Sequence, residues 1–133
     1  MAKTSPTQRS LALLRKQGMT VAIVERWNAY TKTRQDLLGF ADLLAIDPLN
    51  EKIILVQTTS RSNQSARCRK IFDSEHARTW LKSGGLIVVH GWAKQGPRGK
   101  RKVWGCTETP ITAADFPSAE AVHDTELFAC DAQ

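Results

Sequence analysis

Apolar and polar residues change their spacing several times along this chain, and each change marks an element. In "SPTQRSLALLRKQG" the apolar residues Leu11, Leu13 and Leu14 sit among Gln8, Arg9, Arg15 and Lys16, the pattern of a helix with one face turned to a core. Ser5 supplies a cap, Pro6 suits the first turn, and Gly18 is the stop. "MTVAIVERWNAY" reads as one strand, rich in β-branched residues and ending in aromatics. "TKTRQDLLG" is polar and basic, a loop or hairpin connection. "FADLLAID" and "KIILVQTTS" are the next two strands, joined by the "PLNE" turn.

"RSNQSARCRKIFDSEHARTWLKSGG" then takes helical spacing. Ser62 or Asn63 caps its start, a break near Asp73 lets Ser74 cap a second helix, and Gly84-Gly85 stops it. "LIVVHGWAK" and "KVWGCTET" are strands joined by the basic turn "QGPRGKR", a hairpin. From Pro110 onward the pattern weakens, and "SAEAVHDTELFACDA" is either a short terminal helix or a mobile end. The order α-β-β-β-α-β-β predicts an α/β domain over residues 1–109, with a central mixed sheet of about five strands flanked by helices, and an acidic tail over 110–133. The first three strands form a meander, and the helical segment crosses to the fourth.

A length of 133 residues is enough for one domain with a single core. No apolar run approaches the roughly 18 residues of a membrane span, and the N-terminal segment lacks the pattern of an export signal. Cys68, Cys106 and Cys130 are odd in number and widely spaced, which argues for a reducing compartment. His76, His90 and His123 show no metal-ligand spacing with them, so no zinc site is expected. Charge changes the picture more. All 19 Lys and Arg lie at or before Lys102, against seven acids there, a balance of +12; the remainder holds six acids and no cation. A basic body with an acidic end suits a polyanion, nucleic acid first, although a merely solvated basic surface has the same composition.

Three polar residues interrupt the apolar strands: Asp42, Gln57 and Thr59. Alternation puts Gln57 and Thr59 on one face and Val56 and Thr58 on the other. If the two strands pair, Asp42 comes beside Gln57 at one end of the sheet. A carboxylate next to an amide carbonyl offers hard oxygen ligands for Mg²⁺, which can activate water and neutralise a phosphodiester's developing charge. Asp42 could equally cap a turn or pair with Arg34, and Gln57 could be an ordinary hydrogen-bonded strand residue.

An Asp on one strand, a turn, and a second strand ending in acid-any-Lys is the pattern of the PD-(D/E)xK nucleases, which include restriction endonucleases, Holliday junction resolvases and phage nucleases. This sequence resembles that superfamily over roughly residues 6 to 93. "GFAD", with Asp42, matches the first motif; "VQTT", with Gln57 and Thr59, falls where the second belongs; the element order is similar too. The resemblance implies a restriction-endonuclease-like core, Mg²⁺ or Mn²⁺ held by Asp42 and Gln57, cleavage of DNA including branched or junction DNA, and a homodimer. It also implies the cytoplasm of a bacterial or phage-infected cell.

The sequence departs from the pattern at three positions. Gln57 replaces the usual acid, Thr59 stands where lysine is expected, and Gln8 occupies the place where resolvase-like members carry an acid on the first helix. Arg61, Arg67 or Lys70 could return the missing cation, and Glu25 or Asp36 a second carboxylate. Glu25 is equally a surface strand residue, and Thr59 an ordinary strand former. "SRSNQSARCRK" offers Arg61, Ser62, Asn63, Arg67, Arg69 and Lys70 to a phosphate backbone. Arg98, Lys100, Arg101 and Lys102 on the Gly-rich turn could reach a second strand or form only a solvated hairpin tip. Trp27, Trp80, Trp92 and Trp104 are expected to pack, and Asp47 before Pro48 is turn chemistry. Two other readings remain at this stage: a catalytically degenerate nucleic-acid-binding protein on the same fold, and an adaptor acting through the acidic tail.

Overall fold

The structure, a computed structural model, describes residues 4–116. Helix α1 (Pro6–Lys16) opens on Ser5, whose Oγ accepts from the Gln8 N–H at 3.2 Å. Its stop, Gly18, takes φ +94°, a left-handed conformation that suits glycine. Strand β1 (Thr20–Ile23) follows, then a small hairpin, β2 (Arg26–Asn28) and β3 (Thr33–Gln35). Strands β4 (Leu43–Asp47) and β5 (Lys52–Ser60) come next, then helices α2 (Gln64–Phe72) and α3 (Glu75–Lys82), and finally β6 (Leu86–Gln95) and β7 (Val103–Ile111). No helix among the described residues is long and apolar enough to cross a membrane.

The main sheet is mixed, as the pattern predicts, with order β1-β4-β5-β6-β7. β5 runs parallel to β6, with Gln57 opposite Val89; every other neighbouring pair is antiparallel. The parallel pair requires a crossover, which α2 and α3 supply. Covered on both faces, β5 is buried continuously from Leu55 to Thr59. On one face α1 packs Leu11 and Leu14 against Val21, Leu43, Ala45 and Val56. On the other, Ile71 and Ala77 of α2 and α3 meet Leu55, Ile87 and Val89.

Four expectations need correction. "MTVAIVERWNAY" is not one strand: Val24 N–H still bonds Asp42 O at 2.9 Å, and then the chain leaves the sheet for the β2–β3 hairpin. The cause is turn chemistry at Asn28, whose Oδ1 accepts from the N–H groups of Tyr30 (2.9 Å) and Thr31 (3.2 Å). Trp27 is accordingly 61% exposed rather than packed, and Trp104 is also exposed. Neither Ser62 nor Asn63 caps α2 with its side chain; a 3-10 turn over Arg61–Asn63 leads into it instead. The boundary expected after residue 109 falls inside β7, and packing continues to Phe116, whose ring stands edge-on to Phe72 at 5.9 Å. The rest of the acidic tail and its expected helix lie outside the described residues.

Two finer expectations hold. Ser74 caps α3 by accepting from Ala77 N–H at 3.2 Å. Asp47 is turn chemistry, accepting from the N–H groups of Leu49 and Asn50 and from the Asn50 side chain.

Candidate functional site

Sequence places Asp36 and Asp42 six residues apart, and the chain between them folds into a tight turn. Leu37 and Ala41 form a two-way backbone bridge, both bonds 2.9 Å, so the residues flanking them, Asp36 and Asp42, emerge side by side. Leu38 (φ +56°) and Gly39 (φ +84°) carry the reversal. For Leu38 that conformation is strained. Glu25, at the bend where the chain leaves β1, completes the group. One carboxylate oxygen from each of Glu25, Asp36 and Asp42 lies within 4.8 Å of the other two.

These carboxylates line a cleft of about 340 Å³, together with Gln57, Thr58, Arg67 and Lys70. The cleft opens between the start of α1, through Pro6 and Thr7, and the middle of α2. Asp42 Oδ2 accepts three hydrogen bonds: from Gln57 Nε2 at 2.9 Å, Thr58 N–H at 2.7 Å and Thr58 Oγ1 at 3.0 Å. Thr58 Oγ1 also meets Thr7 Oγ1 at 2.8 Å, tying α1 to the site. Because Gln57 must present its N–H₂ to the carboxylate, its Oε1 is fixed on the other side. That oxygen is buried and has no hydrogen-bond partner. Buried orphans are rare enough to need a reason.

Burial is the largest of several influences that together push the Asp42 carboxyl up to about 7. The Thr58 N–H works against burial, while the nearby charge of Asp36 and hydrogen bonds with Glu25 and Asp36 add to the rise. Arg34 does not pair with Asp42; its guanidinium bonds Glu25 Oε2 at 2.8 Å.

The structure thus brings together Asp42, Gln57, Glu25, Asp36, Lys70 and Arg67. Thr59 is a correction. It is buried two residues further along β5, about 7 Å on, and does not line the cleft; Thr58, on the opposite face, does. Gln8 is exposed and is not a lining residue either. Arg61 donates to Gln95 Oε1 at 2.8 Å, Ser62 Oγ meets Ser60 Oγ at 3.1 Å, and Asn63 precedes α2; all three, with Arg69, are exposed. Arg98, Lys100, Arg101 and Lys102 are exposed on the β6–β7 turn. Since β5 and β6 are parallel, that turn projects from the same end of the sheet as Ser60. Sequence reasoning missed Thr7 and Thr58 and gave Arg34 the wrong carboxylate, because these roles depend on contacts across the fold.

The oxygen-only donor set fits a hard divalent cation. Three carboxylates stand in one cleft that Gln57 also lines, with Arg67 and Lys70 on its α2 side. No family model, no curated protein and no solved structure matches this chain.

Proposed function

We propose that this protein is a metal-dependent DNA endonuclease of the PD-(D/E)xK type. The observation that carries the reading is the group of Glu25, Asp36 and Asp42, whose carboxylate oxygens lie within 4.8 Å of one another in a cleft that Gln57, Arg67 and Lys70 also line. Three converging carboxylates, one of them pushed up to about 7, beside a glutamine whose Oε1 is buried without a partner, suit a cation better than the apo fold.

Asp42, Gln57, Glu25 and Asp36 would hold Mg²⁺ or Mn²⁺. When bound, such an ion supplies a Lewis acid for the phosphoryl oxygen and makes water nucleophilic at neutral pH. Asp42 would serve as the carboxylate. Lys70 and Arg67, from α2, replace the cation that Thr59 cannot provide and meet the negative charge that grows on the phosphate. Arg34 holds Glu25 in place. The exposed cations Arg61, Arg69, Arg98, Lys100, Arg101 and Lys102 bind the backbone of the duplex without reading its sequence. Cutting both strands of a junction takes two such sites, hence two copies of the chain.

The test is a cleavage assay on linear, single-stranded, flapped and four-way-junction DNA with Mg²⁺, Mn²⁺ or EDTA. Metal-dependent cutting that disappears in Asp42→Ala and falls sharply in Gln57→Ala is expected, and the preferred DNA identifies the substrate. One observation favours a second reading: Asp42 Oδ2 already accepts three hydrogen bonds, as a structural network on a DNA-binding protein would have it. Binding to these DNAs without cutting under either metal selects that reading. Absence of both binding and cutting rejects nucleic acid altogether.

A further inference from the structure

A second group of ligating side chains lies on the α1 face of the sheet, where β6 and β7 pair. The register sets Glu108 opposite His90 and Cys106 opposite Trp92, so alternation brings the side chains at 90, 92, 106 and 108 to one face. A ring nitrogen of His90, the Cys106 sulfur and a Glu108 carboxylate oxygen lie within 4.8 Å of one another. None of the three lines the cleft.

His90 is held in a built setting. It is 1% exposed, and its Nδ1 lies 2.8 Å from Ser10 Oγ, on α1. Ser10, itself fully buried, also accepts from Trp92 Nε1 at 2.9 Å. With Nδ1 engaged, Nε2 is the nitrogen left for a ligand. Anchoring one imidazole nitrogen so that the other can bind metal is the usual outer-shell arrangement of a metal-bound histidine.

The chemistry of the trio favours one class of ion. Imidazole, thiolate and carboxylate together suit Zn²⁺, whereas Mg²⁺ wants oxygen alone. A neutral imidazole with two anionic ligands balances the dication. Tetrahedral ligands about 2.0–2.3 Å from zinc stand roughly 3.5 Å apart, and the exposed Glu108 side chain can close the remaining distance. Cys106 is not set up as a nucleophile: burial first, then Glu108, pushes its thiol up to about 11 despite the opposing pull of Arg61.

We propose that His90, Cys106 and Glu108 bind one Zn²⁺ ion, with water in the fourth position, pinning β7 to the face on which α1 packs. The site is independent of the cleft and of the endonuclease reading.

The full-length chain with Cys68→Ser and Cys130→Ser keeps Cys106 as its only thiol and is titrated with Co²⁺ and Zn²⁺. A thiolate-to-cobalt charge-transfer band that Zn²⁺ abolishes at one equivalent is expected. Asp42→Asn should leave it unchanged. Glu108→Gln, at an exposed position, and Ser10→Ala should each weaken Co²⁺ binding, the latter by about 10- to 100-fold, with the far-ultraviolet circular dichroism preserved. Absence of the band in the folded protein overturns the site. So does a band indifferent to both Glu108→Gln and Ser10→Ala, because a lone thiolate would then be the ligand.

Discussion

Asp42 is pulled two ways. Its carboxyl stands at about 7 in the fold, mainly through burial, against 3.8 for the ordinary group. Between those values the folded chain holds a proton that the unfolded chain releases, so stability falls as pH rises. The contribution is fully present below about pH 4 and lost as pH climbs through about 7. At pH 8 the buried carboxylate then costs on the order of 2–4 kcal/mol. Asn at this position keeps an oxygen for Gln57 and Thr58 and turns an N–H₂ toward Glu25 and Asp36. Asp42→Asn should therefore raise the melting temperature of the metal-free protein by about 8–15 °C at pH 8, by less than half as much at pH 5, and abolish cleavage. Thermal melts at both pH values check this; a lower melting temperature at pH 8 refutes it. Gln57→Glu tests the orphan oxygen from the other side. A further carboxylate raises repulsion in the empty cleft and ligand charge in the filled one. Calorimetry should find Mg²⁺ bound about tenfold more tightly and the metal-free protein less stable at pH 8.

Among the elements, α2 does most to assemble the cleft, because it carries Arg67 and Lys70, and a single residue fixes its start. Gln64 reaches across the sheet, and its Nε2 bonds Thr107 O (2.8 Å), Thr109 Oγ1 (3.0 Å) and Val89 O (3.3 Å). It can do so because residue 91 is glycine; a Cβ there would collide with the Gln64 side chain. Gln64→Ala strands buried acceptors and should cost about 1–3 kcal/mol. By loosening α2 it should also lower cleavage more than DNA binding, as urea melts beside single-turnover assays would reveal. Equal loss of both would mean that α2 positions no catalytic group. Such long-range contacts separate what was legible in the sequence from what was not. Caps and stops at Ser5, Gly18, Ser74 and Gly84 are local chemistry, and they marked the helices correctly. The apolar run ending in Gln57 and Thr59 marks a central strand with a polar end, but alternation alone picks Thr59 where Thr58 lines the cleft. The β2–β3 hairpin was hidden because Asn28 makes its turn with a side chain rather than with glycine. Glu25 and Asp36 could be suspected but not placed, since they meet Asp42 only after one strand ends early and a five-residue turn reverses. His90 and Cys106 show no ligand spacing along the chain, yet strand pairing brings them onto one face.

On the scale of the whole molecule, the proposed endonuclease has positive charge to meet a DNA substrate at two places. Arg67 and Lys70 stand in the cleft. Arg98, Lys100, Arg101 and Lys102 stand on the β6–β7 turn, beyond the sheet end where Ser60 pairs with Trp92. The two groups should divide their labour. Exposed cations that displace counterions from phosphates contribute affinity and a salt dependence of about 0.9 in the slope of log K against log salt for each contact. A cation beside the scissile phosphate contributes mainly to the transition state, because charge there grows as the bond breaks. Replacing all four turn cations with alanine should therefore flatten the salt slope by about 2–4, according to how many touch phosphate. The cleavage rate at saturating protein should stay within about twofold, since removing uniform binding raises KM and leaves kcat alone. Lys70→Ala should do the reverse, changing the slope by no more than about 1 while lowering the saturated rate by about 10²-fold or more. Binding isotherms over a range of salt, run beside single-turnover cleavage, give both quantities for each variant. A turn variant that binds with the parent's slope would make that hairpin a solvated tip. A Lys70→Ala protein that cuts at the parent's rate would leave Arg67 as the cation that stands in for the lysine.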